Sequence, residues 1–427
     1  MKQVARVGLM FWVVVSMIVM GGAAFAASGG GVRKIVVFRE GATPKVQRAV
    51  VEGYGGNVLH ILPLINGAAT QLPATNADAV AAALQNNPHV AGIYDDLRSG
   101  GDHVVVFTAV SPPLVEAYPW GEERIGVPLA RQLLAGLTTP GPVVAVMDTG
   151  IDVNHPELKQ SIVGGYNARA GENPGNYQDY NGHGTHMAGI IAAAQNSQGI
   201  IGTVLRPRIV AVKVLDNTAH GYLSDFINGL QWVLTQGIGV INMSLSFQED
   251  SPLLQSVISQ LYMNGVIMVA SAGNVCGSGG QDDGGEDDGG ETGCDPVLDP
   301  SQRAIRYPAR YPWVIAVGAT DFYNHVTGYS RTGPELDLVA PGGSRLNQRI
   351  LSTIPGSAYA YGSGTSPAAA HVSGTVAMLL ELAPVLTFEQ VLSLLQTTAT
   401  NLGYPAEQQG AGLVNLEKAV KSLLGLP

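Results

Sequence analysis

Pro142-Val143-Val144-Ala145-Val146-Met147-Asp148-Thr149-Gly150 decides how the rest of the chain is read. Six apolar residues run without alternation, and such a run reads as a strand buried on both faces, as in parallel sheets. It ends in a carboxylate, and the C-terminal ends of strands are where open α/β sheets carry their chemistry. Thr149-Gly150 then turns the chain away. Taken alone, Asp148 also fits an acid that caps a turn or binds a ribose.

Working outward, similar apolar runs stand at 209–214, 240–244, 266–270 and 314–317, with helical stretches at 222–235 and 253–264 between them. This alternation predicts an α/β fold in which helices flank a parallel sheet. Further helices are expected over 365–382, 387–397 and 415–423, with no extra domain after them.

Three more segments carry chemistry. His183 lies in Asn181-Gly182-His183-Gly184-Thr185-His186, where small neighbours let a helix start pack closely beneath a site. His183 and His186 also suit a metal pair, although no Cys or acidic residue stands at companion spacing, and a structural role fits His186. Ser366 lies in Gly364-Thr365-Ser366-Pro367-Ala368, before an alanine-rich helix. A serine there reads as an N-cap. It reads equally as a nucleophile, because the positive end of a helix stabilises developing negative charge. The run 266–270 ends in Ser271-Ala272-Gly273-Asn274. Asn274 reads either as a turn residue or as an amide donor to an oxyanion.

The acid, histidine and serine come in the chain order Asp, His, Ser, one of the three orders in which unrelated folds supply this triad. With their flanking residues the four segments resemble the subtilisin-like serine proteases (subtilases), from about Trp120 to the C-terminus. Asp152, His155-Pro156-Glu157-Leu158, Tyr307-Pro308-Ala309, Val317-Gly318-Ala319, Ala340-Pro341-Gly342 and Gly410-Ala411-Gly412-Leu413-Val414-Asn415 look like signatures of the same family. The resemblance implies that Asp148 orients His183, that His183 is the general base, that Ser366 is the nucleophile and that Asn274 donates to the oxyanion. It implies that Ser244, Leu245, Ser246, Ala272 and Gly273 bind substrate, with Ser246 standing where the family has Gly and adding a side chain at the pocket rim. Pro367 stands where the family usually has Met, and Ala370 where a helix proline is common. Neither change removes a catalytic atom.

Composition sets the frame. The 427 residues are 46% apolar and 13% charged, which suits a large core. A net charge of −10 gives no basic surface for nucleic acid. Lys2 and Arg6, the apolar run 7–20 and Ala24-Phe25-Ala26 read as a signal peptide over 1–26, and hence a secreted chain, extracellular or periplasmic, with no stable membrane association after cleavage. An uncleaved anchor is the other reading. Residues 32–99 read as a βαββαβ module, with strands at 34–38, 57–62, 67–72 and 90–95 and helices at 44–54 and 76–86. This small α+β, ferredoxin-like domain resembles the subtilase propeptide, which implies a folding aid and intramolecular inhibitor. Residues 100–118 read as a linker that holds the maturation bond, with 104–107 extended into the active site. The catalytic domain is then 119–427.

Cys276 and Cys294, the only two cysteines, bracket an acidic, glycine-rich insert over 276–294. Such composition builds no core. In an exported chain the pair is expected to form a disulfide. The insert matches no calcium-repeat spacing, and a solvated loop is the favoured reading. The family resemblance does imply a structural calcium site. Glu157 and Asn196 would supply side-chain oxygens, and Ala194, Gln198 and Ile200 backbone carbonyls, with Glu157 where the family commonly has Asp. No catalytic cofactor is expected. The reading is a secreted serine endopeptidase that processes itself and acts on proteins or peptides. A catalytically silent relative acting as a binding protein, or an esterase on the same triad, are the alternatives.

Overall fold

The computed structural model describes residues 31–99, 108–113, 115–275, 303–344 and 348–427. The N-terminal module runs β1 (Val32–Phe38), α1 (Pro44–Gly53), β2 (Asn57–Leu62), β3 (Gly67–Leu72), α2 (Ala77–Gln85) and β4 (Val90–Asp95). Its four strands form an antiparallel sheet in the order β2-β3-β1-β4. This is the expected ferredoxin-like arrangement. α1 starts where Thr43 accepts from the Val46 N–H and Pro44 fills the first turn, in which a missing donor costs nothing.

The larger unit opens with β5 (Thr108–Val110), α3 (Trp120–Arg124) and α4 (Val127–Leu133). It continues with β6 (Val144–Asp148), β7 (Ile162–Asn167), α5 (His183–Ala192), β8 (Ile209–Lys213), α6 (Leu223–Thr235), β9 (Val240–Met243), α7 (Pro252–Met263), β10 (Ile267–Ser271), β11 (Val314–Thr320) and β12 (Leu338–Pro341). A hairpin, β13 (Ile350–Ile354) and β14 (Ala358–Gly362), precedes α8 (Thr365–Leu382), α9 (Phe388–Thr398), α10 (Ala406–Gln409) and α11 (Leu416–Leu424).

Seven strands form one parallel sheet in the order β12-β11-β10-β9-β6-β8-β7. The strands β6, β8, β9, β10, β11 and β12 are buried along their whole length, as unbroken apolar runs require. One core layer packs α5, α8 and α11 against one face, and a second packs α6 and α7 against the other. α8 is buried over 365–381, so it passes through the interior as a hydrophobic axle of small residues. The sequence reading missed β7, β12 and the antiparallel β13-β14-β5 sheet.

The two units share a core. Ile35, Leu62, Ile65 and Ala69 of the module join the layer of α6 and α7. At the seam Asp96 accepts from the backbone N–H and hydroxyl of Ser224, at 2.8 and 2.7 Å, and so satisfies a donor of the first turn of α6. Arg33 bridges Asp96 at 2.7 Å and Asp225 at 2.9 Å, and His60 meets Asp225 at 2.9 Å.

Candidate active site

Met147 pairs with Met243, and Met243 with Ala270, so β6, β9 and β10 end level with one another. Asp148, the segment 244–246 and the segment 272–274 therefore leave the sheet at one edge. α5 starts against this edge because Gly184 has no side chain: a Cβ there would stand 2.1 Å from the Gly150 carbonyl and 3.0 Å from the Asp148 Cβ. The close approach brings His183 Nδ1 to 2.7 and 2.9 Å from the two Asp148 oxygens. Both side chains are buried. Burial opposes a charge on His183, but the carboxylates of Asp148 and, more weakly, Asp179 outweigh it and raise its pKa above the ordinary value. His183 Nε2 is buried and has no hydrogen-bond partner among the described residues.

A residue that sequence reasoning missed builds this corner. Asp179 accepts from Asn181 and Gly182 N–H and the Thr149 hydroxyl with one oxygen, and from Thr185 N–H and hydroxyl with the other, at 2.6 to 3.0 Å. It satisfies the open donors at the start of α5, the end that carries His183. An acid just before Asn181-Gly182 was the available signal. Thr149, beside Asp148, accepts from the Gly184 N–H at 2.9 Å, and the buried Lys213 ammonium donates to its carbonyl.

Ser366 is the second residue of α8, and Gly364 rather than Ser366 occupies the N-cap. Its hydroxyl donates to the Ser244 carbonyl at 3.4 Å, while the Ser244 hydroxyl donates to the Ser366 carbonyl at 3.1 Å. Asn274 Oδ1 accepts from the N–H and the hydroxyl of Thr365, both at 3.1 Å. This fixes the amide so that Nδ2 lies beside Gly364, where an added Cβ would be 3.4 Å away. Four separated segments thus bring an acid, an imidazole, a hydroxyl and an amide to one edge of the sheet. There Asp148 bonds His183, Ser366 bonds Ser244 and Asn274 bonds Thr365, and among the described residues no hydrogen bond joins Ser366 to His183 Nε2.

The description "Subtilase family" matches residues 139–413. The chain belongs to the subtilase family. Subtilisin E of Bacillus subtilis (strain 168) is 35% identical over 376 residues, 88% of this chain and 86% of its own length. The subtilisin of Bacillus pumilus is 38% identical over 307 residues, 72% of this chain and all of its own. An alkaline protease of Alkalihalobacillus alcalophilus is 38% identical over 308 residues. With the family comes the enzyme class, serine endopeptidase.

Other expected site residues of this subtilase are placed as follows. Ser244, Leu245, Ser246 and Ala272 are fully buried, Ser246 included, although it was expected at a pocket rim. Gly273 turns with φ +94° and its carbonyl accepts from Arg331 N–H. His186 and His183 do not pair: His186 Nε2 lies 3.2 Å from the carbonyls of Ile350 and Ala360, and burial drops its pKa to about 3. The expected disulfide Cys276–Cys294, the acidic insert, the leader and the segment 104–107 lie outside the described residues.

Beyond Ser366 on α8 lies a second buried pair. His371, one turn further along α8, directs Nδ1 to the Pro367 carbonyl at 2.8 Å and Nε2 to Glu122 at 3.6 Å. Among the described residues both Glu122 oxygens lack a hydrogen-bond partner, and full burial raises its pKa.

The residues named for calcium do come together. Glu157 accepts from the Tyr359 hydroxyl at 2.5 Å and from Asn196 at 3.2 Å. Gly199, at φ +61°, leaves a cradle there: a Cβ would lie 2.2 Å from Glu157 Oε1. The carbonyls of Ala194, Gln198 and Ile200 accept no hydrogen bond from a described residue. The sequence reading missed Glu116, which accepts from Asn196 and Ser197 N–H at 2.5 and 2.7 Å. Burial, reinforced by the Glu116 charge, lifts Glu157 to about 6. Among the described residues no three of His, Cys, Asp and Glu cluster as a metal site. Two carboxylates with idle carbonyls nevertheless fit a hard, oxygen-seeking cation.

Proposed function

We propose that this chain is a secreted endopeptidase that cuts peptide bonds with Ser366, His183 and Asp148. Asp148 holds the proton of His183 on Nδ1, which leaves Nε2 as the acceptor. His183 takes the Ser366 proton as Oγ attacks the substrate carbonyl. The backbone N–H of Ser366 and Nδ2 of Asn274 receive the oxyanion. Collapse releases the amine, to which His183 returns the proton. Water, activated by the same imidazole, then clears the acyl-enzyme. The observation that carries this reading is the state of His183: one nitrogen is held by both oxygens of a buried carboxylate, and the other is buried with no hydrogen-bond partner among the described residues. Ser366 Oγ donates instead to the Ser244 carbonyl at 3.4 Å, and its bond to Nε2 is expected to form when substrate binds, since catalytic hydrogen bonds are often loose before then.

The module 32–99 acts as intramolecular inhibitor and folding aid, and the chain first cuts itself within 98–118. Two observations support this: the charged seam on α6, and a 376-residue similarity to subtilisin E that exceeds the span 119–427. Export follows from the leader-like 1–26, and no helix among the described residues is long and apolar enough to cross a membrane. Glu116, Glu157, Asn196 and the carbonyls of Ala194, Gln198 and Ile200 hold a structural calcium ion, whose charge offsets the two facing carboxylates.

Intact mass of the chain expressed without its leader, as wild type and as Ser366→Ala, tests the proposal. Wild type alone should lose a piece ending between Arg98 and Tyr118. A sulfonyl fluoride should add to Ser366 of wild type only. If wild type stays whole and takes up no label, the triad reading fails.

A further inference from the structure

A cavity of about 540 Å³ opens on the side of the molecule bounded by α4, the segment 160–161, the end of α5 and the segment 205–208. Arg131, Arg206 and Arg208 all line it, with Thr138, Gln160 and Gln195 as further polar groups. Three guanidinium side chains around one cavity run against a chain of net charge −10.

The arginines are poorly neutralised. Arg131 is only 4% exposed, and no carboxylate pairs with it among the described residues. Its terminal nitrogens donate to the carbonyls of Gly202 and Val204, at 3.0 and 2.7 Å, and to Gln195 at 3.4 Å. Its Nε is buried and has no acceptor. Burial lowers its pKa, and the more distant Glu116 and Glu381 offset only part of that. A buried guanidinium with an idle donor and no ion-pair partner is costly unless something supplies the charge. Arg206 meets the buried Glu381 at 2.6 Å, the one carboxylate paired with any of the three. Arg208 is exposed and makes no side-chain hydrogen bond or ion pair among the described residues.

We propose that this cavity binds a multivalent oxyanion of the condensed-phosphate class. Guanidinium forks match pairs of phosphate oxygens, and their charge is independent of pH over the working range. The volume exceeds what one phosphate group fills, and three arginines on two separate segments call for more than one charged centre. Such an anion ties α4 to the segment entering β8. Through Gln195 it also braces the loop 194–200, which carries the candidate calcium ligands. It is a stability ligand, remote from the triad.

The test uses the full chain carrying Ser366→Ala, so that no digestion occurs, in a buffer containing EDTA, so that chelation by the probe changes nothing. Sodium pyrophosphate is titrated by calorimetry and by thermal melting, against orthophosphate, sulfate and chloride at equal ionic strength. Pyrophosphate should bind saturably with one site and raise the melting point, orthophosphate and sulfate should act more weakly, and chloride should do nothing. Arg208→Gln, at an exposed position with no partner to lose, should weaken pyrophosphate about 10-fold, and Arg208→Glu should abolish the site while leaving the anion-free melting point unchanged. Equal responses to pyrophosphate and sulfate, a flat calorimetric trace, or an undiminished response in Arg208→Glu would overturn the proposal.

Discussion

Asn274 and Thr365 are joined twice, because one amide oxygen accepts both the backbone N–H and the hydroxyl of the threonine at 3.1 Å. The residue next to the proposed nucleophile therefore sets which way the proposed oxyanion donor faces. Thr365→Val removes one of the two bonds and should lower kcat about 10-fold with KM little changed. Asn274→Leu should lower kcat about 100- to 1,000-fold, a scale taken from subtilisin itself, a relative of this chain. Steady-state kinetics on one peptide substrate checks both, and a change confined to KM would contradict the arrangement.

Activity should fall on the acid side as His183 gains a proton. Burial works against that proton, yet Asp148 wins and the folded pKa is raised. The acid limb should then lie above the ordinary histidine value of about 6.5. Asp148→Asn should move the limb to lower pH and cut kcat roughly 10⁴-fold. The pH profile of kcat/KM measures both effects, and a limb that moves upward in the variant would sink the assignment.

Glu122→Gln should stabilise the enzyme at neutral pH. The carboxyl is fully buried, its pKa is raised by burial, and neither oxygen has a hydrogen-bond partner. A group raised in the folded state contributes stability below its unfolded pKa and loses it as pH rises through the folded one. The gain from glutamine, about 1–3 kcal/mol, should therefore vanish in acid. Denaturant melts at two pH values decide this, and a loss at neutral pH would mean that His371 and Glu122 form an ion pair worth keeping.

Calcium should protect the fold in a pH-dependent way. Glu157, lifted to about 6, must be ionised to act as a ligand. The metal-free enzyme should lose stability as pH rises through about 6, and added calcium should restore it only above that point. Glu157→Gln should erase the calcium response. Melting curves with calcium and with EDTA measure it, and equal protection at pH 5 and pH 8 would refute the role of Glu157.

The seam between the two units should govern how long the cut module stays bound. Arg33 is held by both Asp96 and Asp225. Arg33→Met leaves Asp225 with His60 and Asp96 with the Ser224 donors but removes the cation that joins the two mostly buried carboxylates, which costs about 2 kcal/mol, near 30-fold in affinity. After self-cleavage the module should leave the variant sooner, read as earlier onset of activity on an added substrate and as loss of co-elution. An unchanged lag would argue against this seam as the clamp.

Much of this was legible because it rests on local patterns. The strands of the central sheet are unbroken apolar runs, and α8 over Thr365–Leu382 matches its expected span. The N-terminal module was readable for the same reason, with β2, β3 and β4 found at their expected limits. What was missed depends on contacts distant in sequence or on weak local signals. β7 carries Gly164-Gly165, and glycine hides a strand. β13 and β14 flank Pro355-Gly356-Ser357, and their partner β5 comes from far upstream. Asp179 and Glu116 matter only because folding delivers unsatisfied backbone donors to them. Glu122 reads as a surface acid until α8 is seen to cover it.

The threading of the central sheet has a consequence for biosynthesis. Asp148 lies on β6, an interior strand between β9 and β8 and the first of the seven to be made, whereas Ser366 follows all seven. A nascent chain still on the ribosome carries the proposed acid and base long before it carries the proposed nucleophile. On that proposal a product that stops before Ser366 lacks the nucleophile, so translation itself delays the onset of a reaction that would be harmful inside the cell that makes it.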